Sequence, residues 1–232
     1  MNLTWSRSRD VEKAYIIRIK GNEISEKKAR DCADSCAEVG MPYTYWDAYD
    51  GTGDCIIPAE HHNAIMECLK ITDHFLTRSE VACALSHISL WARCVLIDQP
   101  IVIFEHDAIC LKAFLRHDLH NSICYLGGLE TSHNEGTEST PIPWFASDGP
   151  NFLFICRAHA YSIDPAVAKN MLGQVISRGI SASADMLIRA DIFNIHQNGL
   201  YAVDQPKEDV TTISNRSTTT DRSFKRNDSL EW

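Results

Sequence analysis

The stretch Ile101-Val102-Ile103-Phe104-Glu105-His106-Asp107 decides how this chain is read. Its first four residues are an unbroken β-prone apolar run, which predicts a strand buried on both faces. The run stops abruptly in two acidic residues flanking a histidine. Alternate residues of a strand point the same way, so Glu105 and Asp107 share one side of the strand mouth. Two close carboxylates repel each other unless a cation lies between them. Hard oxygen ligands suit Mg²⁺ or Mn²⁺, which keep open positions for phosphate oxygens. Acidic residues also end many strands because strands end in water, so the pair alone leaves a plain surface turn open.

Upstream of this strand lies the clearest helix signal. Thr77 can cap it, and Glu80 follows at capping-box spacing. Val81, Ala84, Leu85, Ile88, Trp91, Ala92, Val95 and Leu96 then recur on one broad face, and Asp98-Gln99-Pro100 ends the helix. Further upstream, residues 14–20 read as a first strand and 27–39 as a helix capped by Ser25 and stopped at Gly40. A short aromatic strand follows at 41–46, then the turn Asp50-Gly51-Thr52-Gly53 and a weaker helix at 60–70. Downstream, strands are expected at 122–126, 152–156, 160–163 and 200–203, with helices at 165–177 and 182–193. Such alternation predicts an α/β domain whose central sheet is mostly parallel and flanked by helices. Ligands in such folds sit at the carboxyl ends of strands, where Glu105 and Asp107 lie.

The chain divides into an N-terminal extension (1–13), one domain (14–204) and a polar tail (205–232). Within the domain, residues 128–151 form a loop rich in Gly, Ser, Thr and Pro, read either as a lid or as a disordered insertion. Trp144 and Phe145 would stack on a sugar if it is a lid. With 232 residues, 44% of them hydrophobic and 23% charged, the composition is globular. Twenty-two basic against 31 acidic residues leave a net charge of −9, which disfavours a nucleic-acid partner. No apolar run reaches the ~18–20 residues of a membrane span, and the first ten residues carry no signal-peptide core. Nine cysteines without a C-x-x-C pair read as reduced, buried thiols of a cytoplasmic protein. The pairs His61-His62 and His117/His120, with His133, lack a zinc frame and are expected to be solvated surface residues.

Four segments, taken together, resemble glycosyltransferase family 25, which holds lipooligosaccharide and procollagen galactosyltransferases. The first joins Tyr15-Ile16-Ile17-Arg18-Ile19 to Trp46-Asp47-Ala48-Tyr49-Asp50-Gly51. The second, the most specific, runs from Leu76-Thr77-Arg78-Ser79-Glu80 through Cys83 to Ser86-His87 and Trp91, and is similar to the family's L-T-x-x-E-x-x-C-x-x-S-H helix. The third is Ile103-Phe104-Glu105-His106-Asp107, where His106 replaces the middle carboxylate of an acidic triplet. The fourth comprises His159-Ala160-Tyr161-Ser162-Ile163, Asp185, Tyr201 and Thr212-Ile213-Ser214. Arg18 departs from the asparagine common at its position.

The resemblance implies a GT-A-type (Rossmann-like) hexosyltransferase, galactosyltransferase-like, with a UDP-linked sugar donor and Mn²⁺ or Mg²⁺. It implies metal ligation by Glu105 and Asp107, and donor contacts from Arg18, Asp50, Glu80, Ser86, His87 and Glu105. The acceptor would be a glycan, a glycolipid or another hydroxyl. Transfer with inversion needs a base opposite the leaving group, and Asp185, among small residues, is the candidate. Asp185 also reads as an acid complementing a helix N-terminus. His87 reads either as a core imidazole or as support for Glu105, and Glu80 as a simple cap. Two further readings stand beside these: a non-catalytic nucleotide- or glycan-binding relative, and a modified base of phage-type DNA as acceptor.

Overall fold

Strand β3 (Ile101–Glu105) is buried over its first four residues, as its apolar run requires. The computed structural model describes residues 10–73, 76–116, 122–127, 140–141, 158–189 and 192–204. Around β3, in chain order, lie β1 (Ala14–Arg18), α1 (Glu23–Glu38), β2 (Tyr43–Asp47), α2 (Ala64–Glu67) and α3 (Arg78–Ile97). After it come β4 (Ala108–Cys110), β5 (Ile123–Gly127), β6 (Thr140–Pro141), β7 (Ala160–Ile163), α4 (Pro165–Arg178), α5 (Ala184–Leu187) and β8 (Ile195–Asp204). The strands form one sheet in the order β2-β1-β3-β7-β5-β8-β4, with β6 beside β8.

The expectation of a mostly parallel sheet is corrected. β1 runs parallel to β2 and β3, and β5 parallel to β8. β7 runs antiparallel to both β3 and β5, and β8 runs antiparallel to β4 and β6. The architecture is therefore mixed α/β. A parallel neighbour needs a long crossover, usually a helix. α1 supplies one between β1 and β2, but among the described residues no helix lies between β3 and β7.

Helices do cover both faces of the sheet. Tyr15, Ile17, Ile101, Ile103 and Tyr161 join the core under α3 and α4. Their alternates Ala14, Ile16, Val102, Phe104 and Ala160 join a second core with Ala29, Cys32 and Cys36 of α1. This is the period-two alternation of a sheet buried on both sides. α3 is long and apolar enough to cross a membrane by length and composition, but it lies largely buried in the first core.

Local signals hold at some ends and fail at others. Thr77 and Glu80 make the full capping box at the start of α3, and Asp98 closes its end in a left-handed conformation with φ 50°. α1 begins earlier than residue 27, because Asn22 caps it by accepting from Ser25 N at 3.0 Å. Ser25 is buried, and its hydroxyl accepts from Ile19 N at 2.9 Å, tying β1 to α1. The helix expected at 60–70 is reduced to α2, because the chain beyond it extends to bridge Ile71 with Ile180. The helix expected at 182–193 is likewise reduced to α5, as Ile188 turns extended and fully buried. The expected strand at 200–203 starts earlier, at Ile195. The strand expected at 152–156, Trp144, Phe145, Thr212–Ser214 and the tail lie outside the described residues.

Candidate functional site

β1, β2 and β3 are parallel, so their carboxyl ends meet at one edge of the sheet. A small open cleft lies there. Ile17, Ile19 and Glu105 line it from the strand ends, Cys83 and His87 from α3, and Gly51 and Thr52 from the turn after β2. No lysine or arginine is among the described lining residues.

The turn is clamped to the first turn of α3. Asp50 Oδ1 accepts from Thr52 N at 2.9 Å and Thr52 Oγ1 at 2.6 Å, which shapes the bend. Ser79 Oγ donates to Gly51 O at 3.2 Å, and Arg78 Nε donates to Gly53 O at 3.0 Å. A Cβ on Gly51 would lie 2.5 Å from Arg78 O, so only glycine allows this approach. Ser86 Oγ donates to Ala82 O at 2.8 Å and accepts from Tyr49 N at 3.0 Å, holding Tyr49 against the helix.

A buried relay reaches Glu105 from behind. Trp91 Nε1 donates to Tyr161 Oη at 2.9 Å. Tyr161 Oη lies 2.9 Å from His87 Nδ1, and His87 Nε2 lies 3.2 Å from Glu105 Oε1. The indole can only donate and a carboxylate can only accept. The tyrosine hydrogen therefore goes to Nδ1, and the imidazole carries its own hydrogen on Nε2, toward Glu105. His87 is 1% exposed, so its ring is fixed by the packing around it. Burial pushes the Glu105 carboxyl up, but the hydrogen bond from His87, with smaller contributions from the surrounding imidazoles, outweighs it and sets the net direction downward. Glu105 N donates to His159 O at 2.8 Å, which locks the end of β3.

His106 and Asp107 form the tight turn from β3 into β4. Burial lowers His106 from its ordinary 6.5, against the opposing pull of Asp107 and Glu105. Cys83 is the meeting point of the acidic groups. Burial first, and then the charges of Glu105, Asp185, Asp107 and Glu80, hold its thiol well above the ordinary range. Asp185 at the start of α5 thus lies within electrostatic reach of the cleft, where Ser183 Oγ donates to it at 2.7 Å. The surroundings are compatible with a divalent cation: Glu105 lines the cleft, Asp107 and Asp185 act on it electrostatically, and no lysine or arginine is among its described lining residues.

The residues singled out from sequence fall into two groups. Ser86, His87 and Glu105 line the cleft, with Asp50 in its rim turn, while Asp107 and Asp185 do not line it and reach it only through their charge on Cys83. Arg18 lies apart: its Nε donates to Asp47 Oδ1 at 3.1 Å and its guanidinium covers the Tyr45 ring at 4.3 Å. Strand alternation explains this, since Ile17 and Ile19 face the cleft instead. Glu80 accepts from Thr77 N at 2.9 Å and from Thr77 Oγ1 at 3.1 Å as part of the cap.

His61 and His62 are not the solvated residues expected. His61 stacks on Trp46 at 3.9 Å; Trp46 Nε1 donates to Ser89 Oγ at 2.9 Å, and His61 Nε2 lies 3.0 Å from the same oxygen. His62 Nδ1 lies 3.1 Å from Tyr49 Oη. Both histidines are built into the wall behind the rim. His117, His120 and His133 lie outside the described residues. Sequence reasoning missed Cys83 as a cleft residue and Tyr161 and Trp91 as partners of His87. The spacing of Cys83 and His87, four apart on one helix face, was the available signal.

A family model described as glycosyltransferase family 25 (LPS biosynthesis protein) matches residues 12–139. The matched stretch contains α3, Glu105 and Asp107 but neither Tyr161 nor Asp185. Among curated proteins none matches.

Proposed function

Because the chain belongs to glycosyltransferase family 25, we propose that it is a GT-A-type hexosyltransferase that uses a UDP-linked sugar donor, depends on Mn²⁺ or Mg²⁺, and inverts the anomeric centre. The observation that supports this reading is a cleft at the carboxyl ends of the parallel strands that Glu105 lines and that lies within electrostatic reach of Asp107 and Asp185. A diphosphate entering a cleft of this charge needs an accompanying cation. Glu105 and Asp107 would hold the ion, which when bound neutralises the diphosphate and makes it a better leaving group.

The chain's own residues supply the rest. His87, held by Tyr161 and Trp91, orients Glu105 through its Nε2 hydrogen. The turn at Gly51 and Thr52 closes one wall. Asp185 accepts the proton of the acceptor hydroxyl as its oxygen bonds to the anomeric carbon on the face opposite the diphosphate. The bond from that carbon to the phosphate oxygen breaks, and the electron pair leaves with the nucleoside diphosphate. A glycan acceptor suits the family, whereas DNA is disfavoured by the net charge of −9 and the lack of lining cations among the described residues.

Sugar transfer from UDP-sugars with Mn²⁺ tests the reading. Asp107→Asn should lower turnover roughly a hundredfold or more and weaken stabilisation by UDP with Mn²⁺. Asp185→Asn should lower kcat by about a hundredfold or more while leaving that stabilisation intact. Undiminished turnover in Asp107→Asn would overturn the metal site, and undiminished turnover in Asp185→Asn would overturn the base.

A further inference from the structure

One half-buried thiol in the cleft has no part in the chemistry above. Cys83 Sγ, a nitrogen of His87 and a carboxylate oxygen of Glu105 all lie within 4.8 Å of one another. We propose that Cys83, His87 and Glu105 form a site for a zinc-like transition-metal ion, separate in chemistry from the all-oxygen pair Glu105/Asp107.

Ligand type favours this. Sulfur, imidazole nitrogen and one carboxylate oxygen make the set that selects Zn²⁺ or Co²⁺, whereas Mg²⁺ and Mn²⁺ prefer oxygen. Tetrahedral bonds of ~2.0–2.3 Å put ligand atoms ~3.3–3.8 Å apart, so the present triangle needs to close by about 1.5 Å at most. The 3.2 Å edge between His87 Nε2 and Glu105 Oε1 is already at that size. Cys83 and His87 sit four apart on α3, a rigid capped helix, so two of the three ligands are fixed before any ion arrives.

The surroundings supply two further features of a built metal site. His87 Nδ1 faces Tyr161 Oη, and Tyr161 is held by Trp91, so the ligand ring has the outer partner that orients metal-bound histidines. The fourth position opens to the cleft, leaving room for water. Proton accounting is simple. The Cys83 S–H proton passes to solvent, and the thiolate binds the ion. The His87 hydrogen moves from Nε2 to Nδ1 and donates to Tyr161 Oη, whose own hydrogen rotates away from Nδ1 as that oxygen accepts from both His87 and Trp91.

The site shares Glu105 and His87 with the machinery proposed for sugar transfer, but its test needs no turnover. Cobalt(II) added to the purified full chain should produce a near-ultraviolet thiolate-to-cobalt charge-transfer band and strong visible bands of a low-coordinate ion. Cys83→Ser should abolish the charge-transfer band, while the Cys55→Ser/Cys68→Ser variant, which removes two exposed thiols, should keep it. A wild type without the band, or a band that survives Cys83→Ser, overturns the proposal. Should Cys83→Ser fail to fold, alkylation of the wild type read by mass spectrometry decides. Zn²⁺ slowing modification of Cys83 at least tenfold, with Mg²⁺ without effect, upholds the site, and equal rates overturn it.

Discussion

At the scale of single residues, the cleft depends on close approaches that tolerate little change. Gly51 has Arg78 O 2.5 Å and Arg78 C 2.7 Å from where a Cβ would stand, while Gly53, two residues on, has nothing within 4 Å. Backbone atoms cannot yield as a flexible side chain does. Gly51→Ala should therefore cost about 1–3 kcal/mol in urea unfolding, the range of an overpacked site. Gly53→Ala should stay within about 0.5 kcal/mol of wild type, in the range of ordinary surface changes. Equal effects of the two would contradict the clamp between the turn and α3. Tyr161→Phe removes one oxygen and leaves two buried partners, Trp91 Nε1 and His87 Nδ1, without it. The expected loss is about 1–3 kcal/mol. Weaker stabilisation by UDP with Mn²⁺ should accompany it, because His87 is then free to turn from Glu105. These contacts lie seventy residues or more apart in the chain, so no local spacing announces them.

At the scale of elements, α3 carries the most. It presents Cys83 and His87 to the cleft, Trp91 to the relay and its apolar face to the core. Its capping box was legible because Thr77 and Glu80 are local and their spacing alone defines the motif. Thr77→Ala should destabilise the protein by about 0.5–2 kcal/mol, and Thr77→Ser should recover most of the loss. Circular dichroism through a urea titration reads both. A full loss in Thr77→Ser would place the contribution in the methyl group rather than in the cap. α2 and α5 show the opposite case. Their apolar residues suit a longer helix, but a bridge to Ile180 and the burial of Ile188 end each after four residues. Tertiary contacts override propensity where a helix is short and its ends are claimed by neighbours.

At the scale of the whole molecule, the buried histidines set the response to acid. Burial lowers His61 to about 4 from an ordinary 6.5. The unfolded chain takes up that proton first, so stability is level above the unfolded value and declines as pH falls from there toward the folded one. His106 and His196, lowered in the same direction, add to the decline. Glu105, held below its ordinary value, contributes stability that is lost only further down, as pH falls through its folded value. Urea midpoints should therefore fall between pH about 7 and about 5, before the carboxylates titrate. His61→Gln should flatten part of that slope, and an unchanged slope would mean that His61 is protonated at little cost in the folded protein.

Strand and helix identity near the cleft followed from neighbouring residues: the apolar run into Glu105, the cap at Thr77 and the turn at Asp50-Gly51. So did coverage of the sheet on both faces, because side-chain periodicity is a local property of the backbone, whereas Asp107 lies in the turn after β3, where strand alternation no longer sets its side. The direction of β7 and β8, the displacement of Arg18 onto Asp47 and Tyr45, and the burial of His61 against Trp46 did not follow. Neither did the gathering of Cys83, His87, Tyr161 and Asp185. Each depends on which distant segment packs beside it, and that choice belongs to the core as a whole, where volume, hydrogen-bond partners and chain connectivity must be satisfied together.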